Sequence, residues 1–538
     1  MNVPFRHETT AVTSTSYGII MYALLCITLA VFAILRLFLW PFVQYFRDTK
    51  GFRKYPNYST LSGITDIPYC LLSARGFRSR DLTEEHKANP ILRIGPNNLS
   101  FGHVDAIKDI YGHSTRCVKD LKYALTAGEH PNLFDVIDKP QHSAKRKRLS
   151  AAFAIKNLER WVFKVAQTTE RLLAALDERC APSPKASEKL LDNAAGTVDF
   201  NHWINLFTIE AINNLALSST MGFLEQGHDL TDARKLDGTM YKANYRKAQN
   251  TSAYATSHFV WDYENFKAFV WLSNLFPRWR EVWSVARPWG DVILQQATVR
   301  LERHQKGEDL DDFFSALMYD KAGAPYNSEW GEIVGEVGAI IDAGADTTAI
   351  ALTHVLDLLI RNPSKLEALR EEVDNALEPE DVVAPYDSVK DLPYLRAVLD
   401  EAMRFIPPTS AGLPRRTPPE GAQILGQWIP GNTSVSMPIY TAHHDSTAFP
   451  EPESFIPERW LDVEDRKRME PYFIPFSTGG RGCIGRNISY LEQKVVLASL
   501  VHRYDFALAD QKQSLKRFEA FNLIVGELPI RIWRREVA

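Results

Sequence analysis

The stretch Phe476–Gly485, with the sequence FSTGGRGCIG, holds one cysteine among four glycines and beside an arginine. Apolar residues then recur at three- and four-residue intervals over Ile484–Ala498, which predicts a helix that begins next to the sulfur. Free N–H groups at a helix start favour negative charge on a nearby thiolate, and glycines let a flat group approach the backbone closely. This stretch, hereafter the cysteine loop, can therefore present the sulfur anion of Cys483 to a metal while Arg481 neutralises an acid group.

Two other interpretations of the cysteine loop remain open. A lone cysteine is often a small buried apolar residue without a chemical role. Residues 480–485 also spell Gly-x-Gly-x-x-Gly, with Asp505 twenty residues further on, which is the pattern of a dinucleotide-binding loop. That pattern should open a long βαβ unit, whereas only about fifty residues remain before Ala538. The dinucleotide interpretation is therefore disfavoured.

A second candidate lies inside a long apolar segment from about Ser328 to Arg361, which predicts a helix closed by Asn362-Pro363. At 1.5 Å per residue it spans roughly 50 Å, enough to cross a whole domain. Its centre, Ala343–Thr348 (AGADTT), places a glycine, a carboxylate and two hydroxyls where apolar residues are expected. A buried acid is costly unless it is partnered, and a threonine hydroxyl can bond to a carbonyl one turn earlier. Either a chemical role for Asp346 and Thr347 or a structural salt bridge of Asp346 accounts for this pattern.

Two pairs of charged residues are spaced so that their side chains can act together. His142 and Arg146 are four apart, and Glu401 and Arg404 are three apart, so each pair shares one face of a predicted helix. Taken alone, the first pair is equally typical of a solvated basic helix end and the second of a surface ion pair. Their meaning depends on the motifs around them.

The cysteine loop matches, without a gap, the haem-binding loop of the cytochrome P450 family, and the centre of the long helix matches that family's oxygen-binding motif. Over about residues 60–535 the chain therefore resembles a cytochrome P450. The resemblance implies haem b (iron protoporphyrin IX), with Cys483 as the axial iron ligand. It also implies that Phe476 belongs to the haem-binding loop and that Arg481 contacts a haem propionate.

The resemblance assigns roles to further charged residues. Those that it places against the haem propionates are His142, Arg146 and Arg415. Glu401, Arg404 and Arg459 match the family's buried glutamate–arginine–arginine network, which would fix the scaffold under the cysteine loop and is costly to break. By position, Thr409 to Leu413 and the residues near Phe521 and Leu523 would line the substrate pocket.

The function that the resemblance implies is that of a haem-thiolate monooxygenase, which inserts one oxygen atom from O2 into a lipophilic small molecule. The fungal type of the sequence favours a secondary metabolite. Asp346 and Thr347 would deliver protons. Because no flavin or iron–sulfur segment is present in the sequence, electrons should come from an NADPH-dependent cytochrome reductase. Lys145, Lys147 and Arg148 can face outward to attract such an acidic redox partner.

Two alternative functions remain. A family member can couple or rearrange its substrate without inserting oxygen, although the presence of both Asp346 and Thr347 argues against this. A non-catalytic haem sensor would need neither a proton relay nor a large pocket.

The N-terminal segment 18–40 is apolar, interrupted only by Arg36, and is long enough to cross a bilayer. Four basic residues follow between positions 47 and 54, whereas only Arg6 precedes it, so the positive-inside tendency places the rest of the chain in the cytosol. We expect a tail at 1–17, a single-pass anchor at 18–40 in the endoplasmic reticulum membrane, a hinge at 41–60 and a haem domain at 61–538. A cleaved signal peptide is the alternative, but its apolar region would be shorter.

The composition, with 45% apolar and 24% charged residues, is that of a globular protein, and a net charge of −4 gives no sign of nucleic-acid binding. The five cysteines show no paired spacing, which suits a reducing compartment. With no repeat or linker after residue 60, we expect one domain, and the resemblance implies a mainly α fold with small β-sheets. Ile91–Phe101 predicts two short strands, and the aromatic-rich segment 261–276 is either core or a membrane-facing surface.

Overall fold

The computed structural model describes residues 21–25, 27–28, 31–32, 35–72, 75–180, 196–320 and 322–536. The predicted tail at 1–17 and the first residues of the predicted anchor lie outside these ranges. The described chain is mainly α-helical with small β-sheets, as expected. The α-helices are Trp40–Arg47, Ile67–Leu72, Arg78–His86, Ala106–Tyr111, Lys139–Ser150, Ile155–Leu158, Val162–Asp177, Phe200–Leu217, Phe223–Gln226, Tyr245–Phe259, Phe266–Ser273, Pro277–Ala286, Pro288–Gln305, Phe313–Met318, Trp330–Arg361, Pro363–Asp374, Tyr386–Val389, Pro393–Phe405, Ile439–His443, Val463–Met469 and Arg486–Arg503.

Within the described ranges, five small sheets accompany the helices. Their strands are β1 (Ile91–Gly95), β2 (Asn98–Phe101), β3 (Val118–Lys119), β4 (Thr197–Asp199), β5 (Leu230–Arg234), β6 (Met240–Asn244), β7 (Arg415–Arg416), β8 (Ala422–Ile424), β9 (Gln427–Ile429), β10 (Ser434–Ser436), β11 (Tyr504–Leu508), β12 (Arg517–Glu519), β13 (Leu523–Val525) and β14 (Pro529–Arg534). The largest sheet has the order β1-β2-β10-β7-β3, in which only the pair β2–β10 is parallel. The predicted hairpin at Ile91–Phe101 is confirmed as β1 and β2.

The long helix Trp330–Arg361 crosses the main hydrophobic core, and Pro363 opens the next helix, as the sequence predicts. It packs against the helix Phe200–Leu217 so closely that a Cβ atom at Gly344 would lie 2.6 Å from Ile212 Cδ1. Glycine is therefore required at this point by close packing, not by an unusual backbone conformation. The helix continues without a break through the AGADTT sequence.

The helix that follows the cysteine loop, Arg486–Arg503, is buried from Ile488 to His502. Its first residues lie beside the long helix, where the hydroxyl oxygens of Ser489 and Thr348 are 3.3 Å apart. The prediction of a helix start next to Cys483 is thus confirmed, and the two elements with candidate chemistry are in contact.

The basic helix Lys139–Ser150 is attached to the long helix by buried charge. Lys145 Nζ lies 2.6 Å from Glu332 Oε1 and 3.0 Å from Glu336 Oε1. Lys145 therefore does not face outward towards a redox partner, and that expectation is wrong. The helix periodicity explains why, because its buried residues, His142, Lys145 and Leu149, share one face. Among the three basic residues proposed to face outward, Lys147 alone is fully exposed.

The segment 41–60, expected to be an irregular hinge, contains most of the helix Trp40–Arg47 and a 3-10 turn at Phe52–Lys54. Phe52 and Tyr55 are buried in the smaller core next to the largest sheet. Of the helices within the described ranges, Trp330–Arg361 alone has the length and apolarity to cross a bilayer. Most of it is buried, so it is the core helix of the domain.

Candidate active site

The cysteine loop is shaped by one glycine with positive φ and by short backbone hydrogen bonds. Gly479 has φ +70°, and a Cβ atom there would overlap the carbonyl oxygen of Tyr111, at the end of the helix Ala106–Tyr111. The Cys483 N–H donates to the Phe476 carbonyl oxygen at 2.8 Å, which closes the loop just before its helix. Only glycine meets both the conformational and the packing demand at position 479.

Cys483 faces a cavity inside the protein. Its side chain is exposed, yet protein surrounds it so closely that burial raises the pKa of its thiol. The backbone N–H groups of Gly485 and Arg486 bond to the sulfur and act in the opposite direction, as does the positive charge of Arg146. The sulfur is thus held where a metal can reach it, with donors that favour the thiolate once a cation shares its charge. The purely structural cysteine, which would be packed on all sides, does not fit this arrangement.

Five basic side chains converge on the same region: Lys119, His142, Arg146, Arg415 and Arg481. Burial and then the charges of Arg415 and Arg146 lower the pKa of Arg481 to about 10. Burial and then Arg481 and Arg146 lower the pKa of His142 to about 4. Positive groups repel one another at such short range unless an anion lies between them. The cluster, hereafter the basic cluster, is therefore suited to a ligand with more than one acid group.

Backbone contacts orient the basic cluster. Arg481 donates from Nη1 to the Val136 carbonyl at 2.6 Å and from Nη2 to the Ile137 carbonyl at 2.8 Å. Arg146 Nη1 donates to the carbonyl of Gly482 at 2.7 Å, next to the cysteine. The cysteine loop, the basic helix and the segment before that helix are thereby joined around one site.

Lys119 was not predicted from the sequence as a member of the basic cluster. It lies opposite Arg415 in the pairing of β3 with β7, and burial lowers its pKa well below the usual value. The strand β3 has only two residues, so no local periodicity marked it. The one signal that would have identified Lys119 is its position directly opposite the charged Arg415 in a pair of short strands.

The predicted charged network is present, with Glu401 and Arg404 fully buried and Arg459 partly buried. Glu401 forms two hydrogen bonds with Arg404, at 2.8 and 2.9 Å, and accepts another from Arg459 Nε at 3.2 Å. Trp460 Nε1 and the Ile456 N–H complete its coordination, each at 2.9 Å. Because each carboxylate oxygen has several donors, the charges compensate one another inside the core. The surface-pair interpretation of Glu401 and Arg404 is thereby excluded.

At the centre of the long helix, the Thr347 hydroxyl donates to the Ala343 carbonyl at 2.8 Å, one turn earlier. Asp346 Oδ2 accepts a hydrogen bond of 3.0 Å from the side-chain amide of Asn522. Burial, followed by the nearby charge of Asp342, raises the pKa of Asp346 to about 7. A carboxyl group with such a pKa exchanges protons readily near neutral pH.

The alternative of a structural salt bridge of Asp346 is not observed, since its partner among the described residues is an amide. Asn522, which the sequence did not single out, lies in the turn between β12 and β13, between the two residues predicted by position to line the pocket, Phe521 and Leu523. Thr409, also predicted by position, donates to Asn522 Oδ1 at 2.7 Å and so orients its amide towards Asp346.

The comparison with protein families decides what this arrangement belongs to. The family model Cytochrome P450 matches residues 80–533. The chain is a member of the cytochrome P450 family. The dinucleotide interpretation of residues 480–485 is accordingly wrong. It requires a strand directly before the glycines, and the chain between β10 and β11, which is described throughout, contains no strand.

Named relatives agree with this assignment. Tryprostatin B 6-hydroxylase of Neosartorya fischeri is 26% identical over 474 residues, which cover 86% of this chain and 78% of the relative. A cytochrome P450 monooxygenase of Stereocaulon alpinum is 30% identical over 474 residues, or 87% of each chain. A crystal structure of a cytochrome P450 superposes with a TM-score of 0.67 at 20% identity, covering 89% of this chain and 99% of the other. This last likeness concerns the fold.

Cytochromes P450 carry haem with a cysteine thiolate as axial ligand. The residues of this chain fit that group. A thiol faces an internal cavity, and the basic cluster beside it matches the two carboxylates of a haem. The chain is thus an enzyme of the cytochrome P450 monooxygenase family.

Proposed function

We propose that this cytochrome P450 inserts one atom of O2 into a lipophilic small molecule. The observation that carries the proposal is the pairing of Asp346 with Asn522 beside the Thr347 hydroxyl, in the helix that contacts the Cys483 helix. An acid with a pKa of about 7 next to a hydroxyl is the equipment for supplying protons to reduced oxygen. A relative named for hydroxylation, tryprostatin B 6-hydroxylase, supports the same reaction class.

In this proposal, Cys483 would ligate the haem iron, and His142, Arg146, Arg415 and Arg481 would hold the haem propionates. Haem bound through a thiolate activates O2 for insertion into an unreactive bond. Phe476 shapes the loop, since its carbonyl accepts the Cys483 N–H at 2.8 Å. Glu401, Arg404 and Arg459 support the loop without taking part in the chemistry.

The protein's own contribution to catalysis is the controlled supply of protons. Asp346 can take up and release a proton near neutral pH, because burial raises its pKa to about 7 while the Asn522 hydrogen bond limits the increase. The Thr347 hydroxyl, which donates to the Ala343 carbonyl, would hold a proton donor at the centre of the helix. Loss of this hydroxyl would divert reduced oxygen to hydrogen peroxide, whereas loss of the Asp346 carboxyl would slow turnover.

Electrons come, we propose, from an NADPH-dependent cytochrome reductase on the same membrane, with Lys147 as an exposed basic contact. The anchor at 18–40 would hold the domain at the endoplasmic reticulum with its catalytic part in the cytosol. The described residues of that segment are helical, and their large apolar side chains are exposed, Tyr22 by 68% and Phe32 by 64%. A lipophilic secondary metabolite is the substrate class that such a location serves.

A second exposed apolar surface lies close to the anchor. In and after the helix Phe266–Ser273, Trp271 is 65% and Phe276 62% exposed. Arg36 of the predicted anchor forms an ion pair of 3.2 Å with Glu264, just before this helix. Both apolar surfaces would then contact the same membrane.

The deciding experiment combines the holoenzyme, a reductase, NADPH and 18O2 with an extract from cells that lack the gene. Appearance of one 18O atom in a product, with matching NADPH consumption, is the expected result. A product without label would favour coupling or rearrangement, and no turnover of any compound would favour a haem sensor. Protease added to intact microsomes should digest the domain, whereas protection of the domain would place it on the lumenal side.

A further inference from the structure

A second acid group, Asp342, lies one helical turn before Asp346 in the long helix. The side chain of Asp342 is exposed, yet the protein that surrounds it raises the pKa of its carboxyl. Like Cys483, Asp342 therefore faces an enclosed space inside the protein. Residues 342 and 346 are four apart and share one helix face. Their charges act on each other, since Asp342 is the largest cause after burial of the raised pKa of Asp346. Asp342 therefore lies on the same face of the long helix as Asp346 and lines the same enclosed space.

The proton relay does not use this carboxylate. Asp342 Oδ1 accepts one hydrogen bond of 2.7 Å from Gln249 Nε2, in the helix Tyr245–Phe259. Within the described ranges, its other oxygen has no hydrogen-bond partner and the group has no ion pair. The charged groups that act on Asp342 and its neighbour are Asp135, Asp346 and Arg246. A carboxyl group that one amide holds in place, with its other oxygen unpaired, costs free energy unless a ligand donates a hydrogen bond to that oxygen.

Aromatic side chains lie close to Asn522, the partner of Asp346. Phe134 packs edge-to-face on Phe521 at 5.2 Å and on Tyr123 at 5.4 Å, and both phenylalanines are partly exposed. Phe521 precedes Asn522, the partner of Asp346. The segment of Phe134 reaches the long helix through the Leu133 N–H, which donates to Glu336 Oε2 at 3.0 Å. An apolar ligand thus finds aromatic surface on one side and a free carboxylate oxygen on another.

We propose that Asp342 determines substrate specificity by accepting a hydrogen bond from an N–H or O–H group of the substrate. The inference rests on the proposed function and narrows its substrate class to apolar molecules with such a donor. The unpaired oxygen of Asp342 accepts hydrogen bonds, so an ether or an N-methyl group at the same place leaves it without a partner. A carboxylic acid would in addition place a second negative charge beside Asp342. Sites that bond a particular substrate group reject analogues without it more strongly than apolar pockets reject a change of size.

The test measures binding to the holoenzyme by calorimetry, which does not depend on turnover. The probes are matched pairs: 3-butylindole with N-methyl-3-butylindole, and 1-decanol with its methyl ether, together with decanoic acid. For the wild type, each donor should bind about 10-fold more tightly than its methylated partner, a difference of about 1.4 kcal/mol, and decanoic acid should bind weakest. If no donor binds more tightly than its partner, the proposal is overturned.

Substitutions test whether the preference for hydrogen-bond donors depends on Asp342. Asp342→Asn keeps the shape but removes the charge, and it should reduce the preference for donors to less than 2-fold. Asp342→Ala removes the acceptor altogether and should likewise abolish the preference, so it supplies the test if Asp342→Asn fails to fold. Glu371→Gln removes an exposed acid elsewhere and should change nothing. An equal preference in wild type and Asp342→Asn would overturn the proposal.

The two proposals fail separately. Incorporation of 18O without a donor preference would leave the monooxygenase proposal standing and refute the role of Asp342. A donor preference that Asp342→Asn abolishes, without 18O in any product, would establish the binding role and refute oxygen insertion.

Discussion

The side-chain amide of Asn522 donates a hydrogen bond of 3.0 Å to Asp346, and these two residues are 176 positions apart in the chain. The contact joins the turn between β12 and β13 to the centre of the long helix. It lowers the pKa of the carboxyl, in opposition to burial and Asp342, which raise it. The protonation of Asp346 thus depends on a residue outside its own helix.

Replacing Asn522 should therefore shift the pH dependence of turnover. In Asn522→Leu the ionised form of Asp346 loses a donor, so its pKa rises above about 7. One hydrogen bond of about 1 kcal/mol corresponds to about one pH unit. The limb on which turnover decreases as Asp346 ionises should move to higher pH by this amount, measured as product formed per minute from pH 6 to 9. Asp346→Asn should lack the limb, and an unmoved limb in Asn522→Leu would contradict the assignment.

The Thr347 hydroxyl should control how much of the consumed NADPH yields product. Thr347→Ala should keep haem, substrate binding and NADPH consumption, but product per NADPH should fall several-fold while hydrogen peroxide rises. Thr348→Ala is the matched control, since the Thr348 hydroxyl faces Ser489 at 3.3 Å. Product, NADPH and peroxide are counted in one reaction. Equal coupling in both variants would make the helix centre structural and favour a reaction without oxygen insertion.

Loss of the sulfur should remove the thiolate signature of the haem. Reduced wild-type protein with carbon monoxide should show the strongly red-shifted band of thiolate ligation, and Cys483→Ala should lose the band or the haem. The control is Cys117→Ala, at a buried cysteine of the smaller core. That variant should keep the spectrum, although its stability decreases slightly. A red-shifted band in Cys483→Ala would assign the ligand to another residue.

Breaking the buried network should be costly to folding. In Glu401→Gln, Arg404 and Arg459 lose their compensating charge, and the free energy of unfolding should fall by about 3–5 kcal/mol. Chemical denaturation of the holoenzyme, followed by the haem band, measures the change. Glu84→Gln removes one partner of an exposed pair with Lys87 and should have almost no effect. Similar midpoints for the two variants would show that the network does not support the scaffold.

Because Gly344 lies close to Ile212, a side chain added at position 344 should clash with Ile212, and a second substitution should relieve the clash. A methyl group there would lie 2.6 Å from Ile212 Cδ1, so Gly344→Ala should destabilise the protein by about 1–3 kcal/mol. Ile212→Val removes that terminal methyl and should recover part of the loss in the double variant. The measurement is a double-mutant cycle of unfolding free energies. Additive effects would mean that the helices move apart without strain.

The local sequence was sufficient to predict the elements that are specified by residues close together in the chain. The cysteine loop, the helix after it and the long helix are of this kind, because helix caps and apolar periodicity are local properties. Lys119, Gln249 and Asn522 join the site only through contacts made across the folded chain, in a two-residue strand, a helix face and a turn. Lys145 was assigned to the wrong side of its helix. Its charge suggested solvent, whereas its buried partners lie almost two hundred residues away, at Glu332 and Glu336.

The basic cluster has a consequence for the amount of the enzyme that accumulates in a cell. Lys119 and Arg415 occupy opposing positions in β3 and β7, and their like charges weaken the sheet that joins them. A dianionic ligand removes this repulsion and binds the folded chain, so the free energy of unfolding increases with the logarithm of the free ligand concentration. Haem supply should then set the steady-state abundance of the enzyme, since chains that have not acquired haem are degraded first. Overproduction without added haem precursor would yield mainly proteolytic fragments cut near this sheet.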